Sequence, residues 1–279
     1  LGIRELLDMP IIGFDLARRF NRDEILPQTR QAWFEQKIIE LLEDASLSTT
    51  VPKNRLEFLA KQLACLGLFT EESPWTESEA KDQIGESTVI GNSVNSQEIG
   101  ALLRSPLFTK MGNQYDFSHQ LFAEYLAAEA LANIPIRKQR QLLTSVVPEF
   151  EKRIAMPYRG VAAFLAEAST NFSNYLLEND PLVALFAEYP SASQDFNDRL
   201  LRAVMDEAIT RGLAPWWNIP PTGEVPLNHM GKHKPSDIES VFRPYLEMDN
   251  EFALIWATMF ISELGGNECL NPLLPYVLT

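Results

Sequence analysis

The sequence predicts a mainly α-helical fold in which a winged-helix-like α+β unit precedes a run of paired helices of the armadillo or HEAT kind. Three observations predict it. Amphipathic segments recur over most of the chain, two short strand-like runs joined at Gly112-Asn113 interrupt them, and Pro, Asn, Asp and Gly cut the second half into helix-sized pieces. A chain of 279 residues can bury one large or two ordinary cores. Its 46% apolar and 22% charged residues are a globular composition.

In chain order, Pro27-Gln28-Thr29 precedes a segment in which Phe34, Ile38, Leu41, Leu42 and Ala45 share one face. Glu35, Lys37, Glu40, Glu43 and Asp44 fall mostly on the other, which is the amphipathic helix pattern. Asn54 is positioned to cap a second helix through Leu56, Leu59, Ala60, Leu63 and Leu66, with Gly67 as its stop. The polar stretch from Glu71 to Ser96 reads as a loop around a small helix, after which Ser96 opens a helix through Ile99, Leu102 and Leu103. Leu107 to Met111 and Gln114 to Phe117 then form a hairpin across Gly112-Asn113. Three helices, a hairpin and a further helix follow the order of a winged helix. The expected divisions are 1–25, the end of a small helical domain; 26–133, the winged-helix domain; and 134–279, the helical repeats.

In the repeats, Asp180-Pro181 and Asn271-Pro272 each pair a capping residue with Pro at the first helical position. Phe252 to Ile261 is apolar nearly all round before Gly265-Gly266, where the helix should stop, and such a helix must be covered on several sides. Stacked helix pairs do that. The last pair is unfinished at Thr279, so further repeats are expected in a longer protein. Trp216 to Pro235 reads as a long irregular loop.

Composition excludes several functions. Acidic residues outnumber basic ones 38 to 24, a net charge of −14, and the basic clusters Arg137-Lys138-Gln139-Arg140 and Lys232-His233-Lys234 are short. Binding a phosphate backbone needs clustered Lys and Arg, so nucleic acid is disfavoured as a partner. No apolar run reaches the ~20 residues of a membrane span. Without a secretion signal, and with Cys65 and Cys269 in apolar settings as buried free thiols, the expected location is the cytoplasm.

Residues 117 to 131, wound at about 100° per residue, bring Phe117, Leu121, Ala128 and Leu131 together, with Phe122, Tyr125 and Leu126 widening the apolar arc. Glu124 projects into the middle of that arc and must be paired or hydrogen-bonded there. His119 falls in the first turn, where free N–H groups and the helix dipole favour an anion such as phosphate. For a lone His, a local hydrogen bond is the commoner role.

This stretch, Phe117-Ser118-His119-Gln120-Leu121-Phe122-Ala123-Glu124-Tyr125-Leu126-Ala127-Ala128, resembles the Phe-x-His-x-x-Phe/Leu-x-Glu-Tyr-Leu-Ala-Ala motif that ends the winged-helix domain of NACHT NTPases, members of the STAND class. Upstream, Leu26-Pro27-Gln28-Thr29-Arg30 is similar to the family's Leu-Pro-x-x-Arg segment, and Leu6 to Ile12 to its Asn-Pro-Leu helix, with Met9 in place of Asn. The resemblance implies a regulatory and sensor module of a nucleotide-switched signal-transduction protein. His119 would touch a phosphate and Pro10 the adenine of ADP held by a P-loop domain in cis. Exchange to ATP with Mg²⁺ would release the clamp and allow self-association, while the repeats sense an unidentified ligand. Bacterial relatives of this kind often act in antiviral defence. Yet no Gly-x-x-x-x-Gly-Lys-Ser/Thr occurs in this chain, so it should neither hydrolyse ATP nor hold a cofactor alone.

Two other readings compete with this one. One is a freestanding winged-helix/helical-repeat module that binds proteins or DNA; a DNA binder needs a basic recognition helix, but Ser96 to Arg104 carries one Arg and one Glu. A zinc enzyme built on His229, His233 and Asp237 or Glu239 would need a regular helix where Gly231, Pro226 and Pro235 favour a loop. No Gly-x-Ser-x-Gly is present, neither Cys is placed for nucleophilic work, and Trp216-Trp217 reads as an aromatic pair pinned back on its domain. Neither catalytic nor metal-binding residues are expected.

Overall fold

The computed structural model describes residues 10–22, 26–48, 51–70, 72–86, 94–147, 152–189, 192–212 and 233–270. These are mainly helical, as the periodicity predicts, with a single two-stranded sheet among them. Two compact units divide the chain: Leu1–Glu149 with Ile154–Ala168, and Phe150–Arg153 with Ser169–Thr279. The division expected at 133/134 falls inside the first unit.

The first unit contains α1 (Pro10–Phe20), α2 (Arg30–Ser48), α3 (Lys53–Thr70), α4 (Glu77–Glu86), α5 (Ser96–Leu103), β1 (Phe108–Met111), β2 (Gln114–Phe117), α6 (Gln120–Ala132), α7 (Ile136–Leu143) and α8 (Arg159–Ala168). Caps set its boundaries. Thr29 Oγ1 accepts the Ala32 N–H at 3.1 Å to start α2. Asn95 and Glu98 form a reciprocal capping box on α5, so Asn95, one residue before Ser96, is its cap. The hairpin pairs antiparallel, Phe108 opposite Phe117 through Met111 opposite Gln114, and Gly112 at φ 66° makes the turn that only glycine adopts without strain.

Two expected helix boundaries differ from the structure. Asn54 lies inside α3, whose first carbonyl acceptor is Pro52, bonded by the Arg55 and Leu56 N–H groups. Gly67 does not end α3 either. A Cβ there would come within 2.8 Å of Cη2 of Trp75, so its glycine admits a tryptophan ring rather than stopping the helix.

The core of this unit is aromatic. Phe34 stacks on Tyr125 at 5.2 Å and meets Trp33 and Phe164 edge-on at 4.9 and 5.1 Å. Phe122 completes the cluster, stacked 6.2 Å from Trp33. Each arrangement is one that ring quadrupoles favour. An ionic knot holds α1 on α2: the buried Asp15 accepts from Arg19 Nε at 2.7 Å, Lys37 Nζ at 2.7 Å and Trp33 Nε1 at 3.0 Å. Burial alone would raise the Asp15 pKa, but hydrogen bonds from Arg19 and Lys37 overrule it and hold the carboxyl at about 2. Cys65, expected to be buried, is half-buried on α3, and the Cys269 side chain lies outside the described residues.

The second unit contains α9 (Thr170–Asn179), α10 (Pro181–Ala184), α11 (Gln194–Thr210), α12 (Ile238–Leu246) and α13 (Glu251–Leu270), packed mostly against neighbours in sequence. Ser169, Ser193 and Asp237 cap α9, α11 and α12. The Tyr245 hydroxyl donates to Asp206 at 2.9 Å, and Phe242, Phe260 and Trp256 pack at 5.7 and 5.9 Å to join α12 to α13. Helix α13 continues through Gly265-Gly266, where the sequence predicted a stop. It buries Ala253, Trp256, Ala257, Phe260, Ile261 and Leu264, one stripe at helical spacing, and leaves Phe252 exposed. Asn271-Pro272 and Trp216-Trp217 lie outside the described residues, as does most of the expected loop from Trp216 to Pro235.

Candidate functional site

The motif residues meet at the junction of β2 and α6. Phe117 closes β2, 4.5 Å from Phe108 and 6.3 Å from Trp75, and so does not share the helix with Leu121, Ala128 and Leu131. The reason is His119. With φ −154° and ψ 136° it is extended, and its Nδ1 accepts the Leu121 N–H at 3.1 Å, so it acts as the N-cap of α6. Histidine is not among the usual capping residues, which is why the helix appeared to begin earlier.

This geometry fixes the tautomer. A ring whose Nδ1 accepts carries its proton on Nε2, and that N–H is the donor left to His119, an exposed residue. The same bond removes part of the expected anion site. The Leu121 N–H is taken by the ring and the Phe122 N–H by the His119 carbonyl at 3.0 Å. A phosphate at this helix start would therefore be met by the imidazole more than by the backbone.

Beyond Leu121 the motif turns inward. Every residue from Phe122 to Ala128 is buried, because α6 lies against α3 on one side and α8 on another. Glu124, 8% exposed, accepts from Gln120 Nε2 at 2.7 Å, which supplies the partner its burial demands. Its carboxyl lies against Gly160 of α8, where a Cβ would stand 2.5 Å from the Glu124 carboxyl carbon. Burial pushes the Glu124 pKa up, while the Gln120 hydrogen bond and the Arg30 charge pull the other way. Arg30, also buried, pairs with Glu167 of α8 and lies 4.3 Å above the Phe164 ring. Arg30 ends the Leu-Pro-x-x-Arg match, but Gly160 and Glu167 carry no signal in the sequence that marks them, since each meets its partner across a large sequence separation.

Of the residues singled out from the sequence, His119 is exposed, Phe117 and Leu121 are half-buried, and Phe122, Glu124, Tyr125 and Leu126 are buried. Pro10 is the first residue of α1, but its side chain is outside the described set. His119 supplies one outward donor, and among the described residues no group of three His, Cys, Asp or Glu could hold a metal ion.

The zinc alternative rests on His229, His233 and Asp237 or Glu239. His233 is 2% exposed with Nε2 3.3 Å from the Leu185 carbonyl, Asp237 is engaged as a cap, and Glu239 pairs with Arg243. His229 lies outside the described residues. In α5, the helix that a DNA reader would use, Ile99 to Leu103 are buried, and Arg104 pairs with Glu77 at 3.7 Å. No described helix is long and apolar enough to cross a membrane. Comparison with family models, curated proteins and solved structures finds no match to this chain.

Proposed function

We propose that this chain is the regulatory and sensor portion of a nucleotide-switched signal-transduction protein of the NACHT/STAND kind, controlling its oligomerisation. In this reading α2 to α6 form a winged-helix-like unit, α9 to α13 are HEAT-like helix pairs, and a P-loop domain in cis holds ADP or ATP with Mg²⁺. The observation that carries the reading is the division of labour at α6. His119 caps the helix through Nδ1 and faces solvent, while Phe122, Glu124, Tyr125 and Leu126 pack inward. A single exposed donor on a braced helix suits a residue that reports a phosphate held by another domain.

The chain alone contributes one hydrogen bond to such a nucleotide, so titration of ADP into residues 1–279 should give no measurable binding. In the full gene product the coding sequence before Leu1 should contain a Gly-x-x-x-x-Gly-Lys-Ser/Thr motif, and the purified protein should retain ADP. Replacing His119→Ala in that product should weaken ADP binding about tenfold or more, the scale of one hydrogen bond to a charged group. Tight binding of ADP by the isolated chain would overturn the assignment, as would a complete gene with no P-loop.

A further inference from the structure

Three helices of the first unit each contribute a glutamate to the lining of one small cavity. Glu35 comes from α2, Glu57 from α3 and Glu129 from α6, and the space among them is about 80 Å³. Ile38, Ile39 and Leu126 give it apolar walls, and Lys61 and Tyr125 complete the lining. At about 10–15 Å³ for each water-sized group, it has room for about five to eight of them.

Its charges are out of balance. Three carboxylates face one cation among the lining residues, Lys61. The Lys61 Nζ lies 2.8 Å from Glu57 and 3.9 Å from Glu129, so it bonds the first and only approaches the second. Glu35 makes no hydrogen bond or ion pair with a described residue. Burial raises the Glu129 pKa, Lys61 opposes the rise, and the Glu35 and Glu57 charges add to it. What these side chains lack is a second positive charge.

A buried hydroxyl adds to the demand. Tyr125 is 6% exposed, and its hydroxyl makes no hydrogen bond to a described residue. That oxygen keeps an accessible surface, and the ring that carries it lines the cavity. The ring is held in place, stacked on Phe34 at 5.2 Å and edge-on to Phe164 at 5.5 Å. Burial pushes the phenol pKa up, and Glu129, Glu35 and Glu57, with Glu167, push it further, so the group stays a neutral hydroxyl. A fixed polar group without a partner therefore stands among carboxylates from three helices.

We propose that this cavity binds a primary alkylammonium of about the size of butylammonium. Its three N–H donors answer the acceptors that Lys61 leaves unmet, Glu35, Glu129 and the Tyr125 oxygen. Its alkyl chain lies along Ile38, Ile39 and Leu126. The carboxylates exclude anions, and no three acidic groups among the described residues are placed to hold a metal ion. Free aliphatic amines and lysine side chains of another protein share this head group. The site stands independently of the nucleotide-switch reading, which gives these side chains no ligand to hold.

The test titrates the whole chain at fixed ionic strength and follows line broadening of the ligand's own proton signals. Butylammonium should bind saturably. Butanol and tetramethylammonium should each bind about tenfold more weakly, the first for want of charge and the second for want of N–H donors. Tyr125→Phe and Glu35→Gln should each weaken butylammonium about tenfold with the helical circular dichroism retained. Glu178→Gln, in the second unit, should leave it unchanged. Nα-acetyl-lysine methylamide binding as well as butylammonium would assign the site to lysine side chains, and binding about tenfold more weakly would assign it to free amines; either result supports an ammonium site. No saturable binding of butylammonium overturns the proposal. Equal binding of tetramethylammonium, or equal effects of Glu35→Gln and Glu178→Gln, overturns it too, by showing a cation drawn only by the net charge of the chain.

Discussion

Gly160→Ala is the sharpest probe of how α6 is held. In an open helix the change would be favourable, since alanine exceeds glycine in helix propensity by about 1 kcal/mol, less in a first turn such as this one. The structure reverses the sign. A Cβ on Gly160 would lie 2.5 Å from the carboxyl carbon of Glu124 and 2.9 Å from its Oε1, well inside contact distance. Glu124 is buried and bonded to Gln120 at 2.7 Å, so moving it means breaking that bond or pushing α8 off α6. Overpacking of this kind costs about 1–3 kcal/mol, and the net loss should be about 1–2 kcal/mol. For a unit of this size that lowers the melting temperature by about 2–4 °C per kcal/mol, measurable by calorimetry. The decisive measurement is the cycle with Glu124→Ala, which removes the obstructing carboxyl. The double variant should recover stability relative to the sum of the single ones, with a coupling of about 1 kcal/mol or more. A neutral or stabilising Gly160→Ala, or strictly additive effects, would refute the contact.

Three further outcomes are expected. Because burial raises the Glu124 pKa above its unfolded value, the stability this group confers is complete at acid pH and is lost as pH rises through its folded pKa. Glu124→Gln should therefore gain on the natural protein from the ordinary glutamate range upward, and parallel pH–stability curves would disprove this. Asp15 has the opposite sign: its carboxyl is held at about 2, so its contribution is present above the unfolded value and fades as pH falls toward 2. Asp15→Asn should cost at most about 3–5 kcal/mol at pH 7, because Glu40 still pairs with Arg19. The gap between the two urea midpoints should narrow below pH 4. The Cys65 thiol is pushed up to about 11 by burial, so at pH 8, in a Cys269→Ser background, it should alkylate about a hundredfold more slowly than an ordinary thiol.

Where burial follows a local period, the sequence reveals it. Phe34, Ile38, Leu42 and Ala45 face the core of the first unit as their 3.6-residue spacing predicts, and Gly112 makes the hairpin because that turn requires positive φ. Misreadings arise where a residue's role is set by something distant. Gly67 carries the mark of a helix stop, yet its function is to receive Trp75, which no local pattern reveals. Phe117 continues the apolar period of α6 from the strand before it, and only the backbone of His119 separates the two elements. Asp15 looks like an ordinary charge on a helix, but donors from α1 and α2 converge on it and draw it inward.

The same distinction explains why α6 is conspicuous as sequence but modest as chemistry. Glu124 stands among apolar neighbours, and that alone predicts a partner; Gln120, one turn earlier, supplies it, and Gly160 supplies the space. A motif rich in Phe, Tyr, Leu and Ala is what a helix needs when α3 and α8 both pack on it. Little of it is then free to meet a ligand. His119 differs because a cap must sit outside the helix it starts, with one ring nitrogen turned to the backbone and the other left to solvent. Capping alone could be done better by Ser, Thr, Asp or Asn, none of which would offer an imidazole N–H at that position. The comparison of His119→Ser with His119→Ala in the full gene product separates the cap from the proposed nucleotide contact: serine restores stability as a cap, but on that proposal nucleotide affinity stays low in both. Recovery of affinity by serine would mean that His119 serves the helix and nothing beyond it.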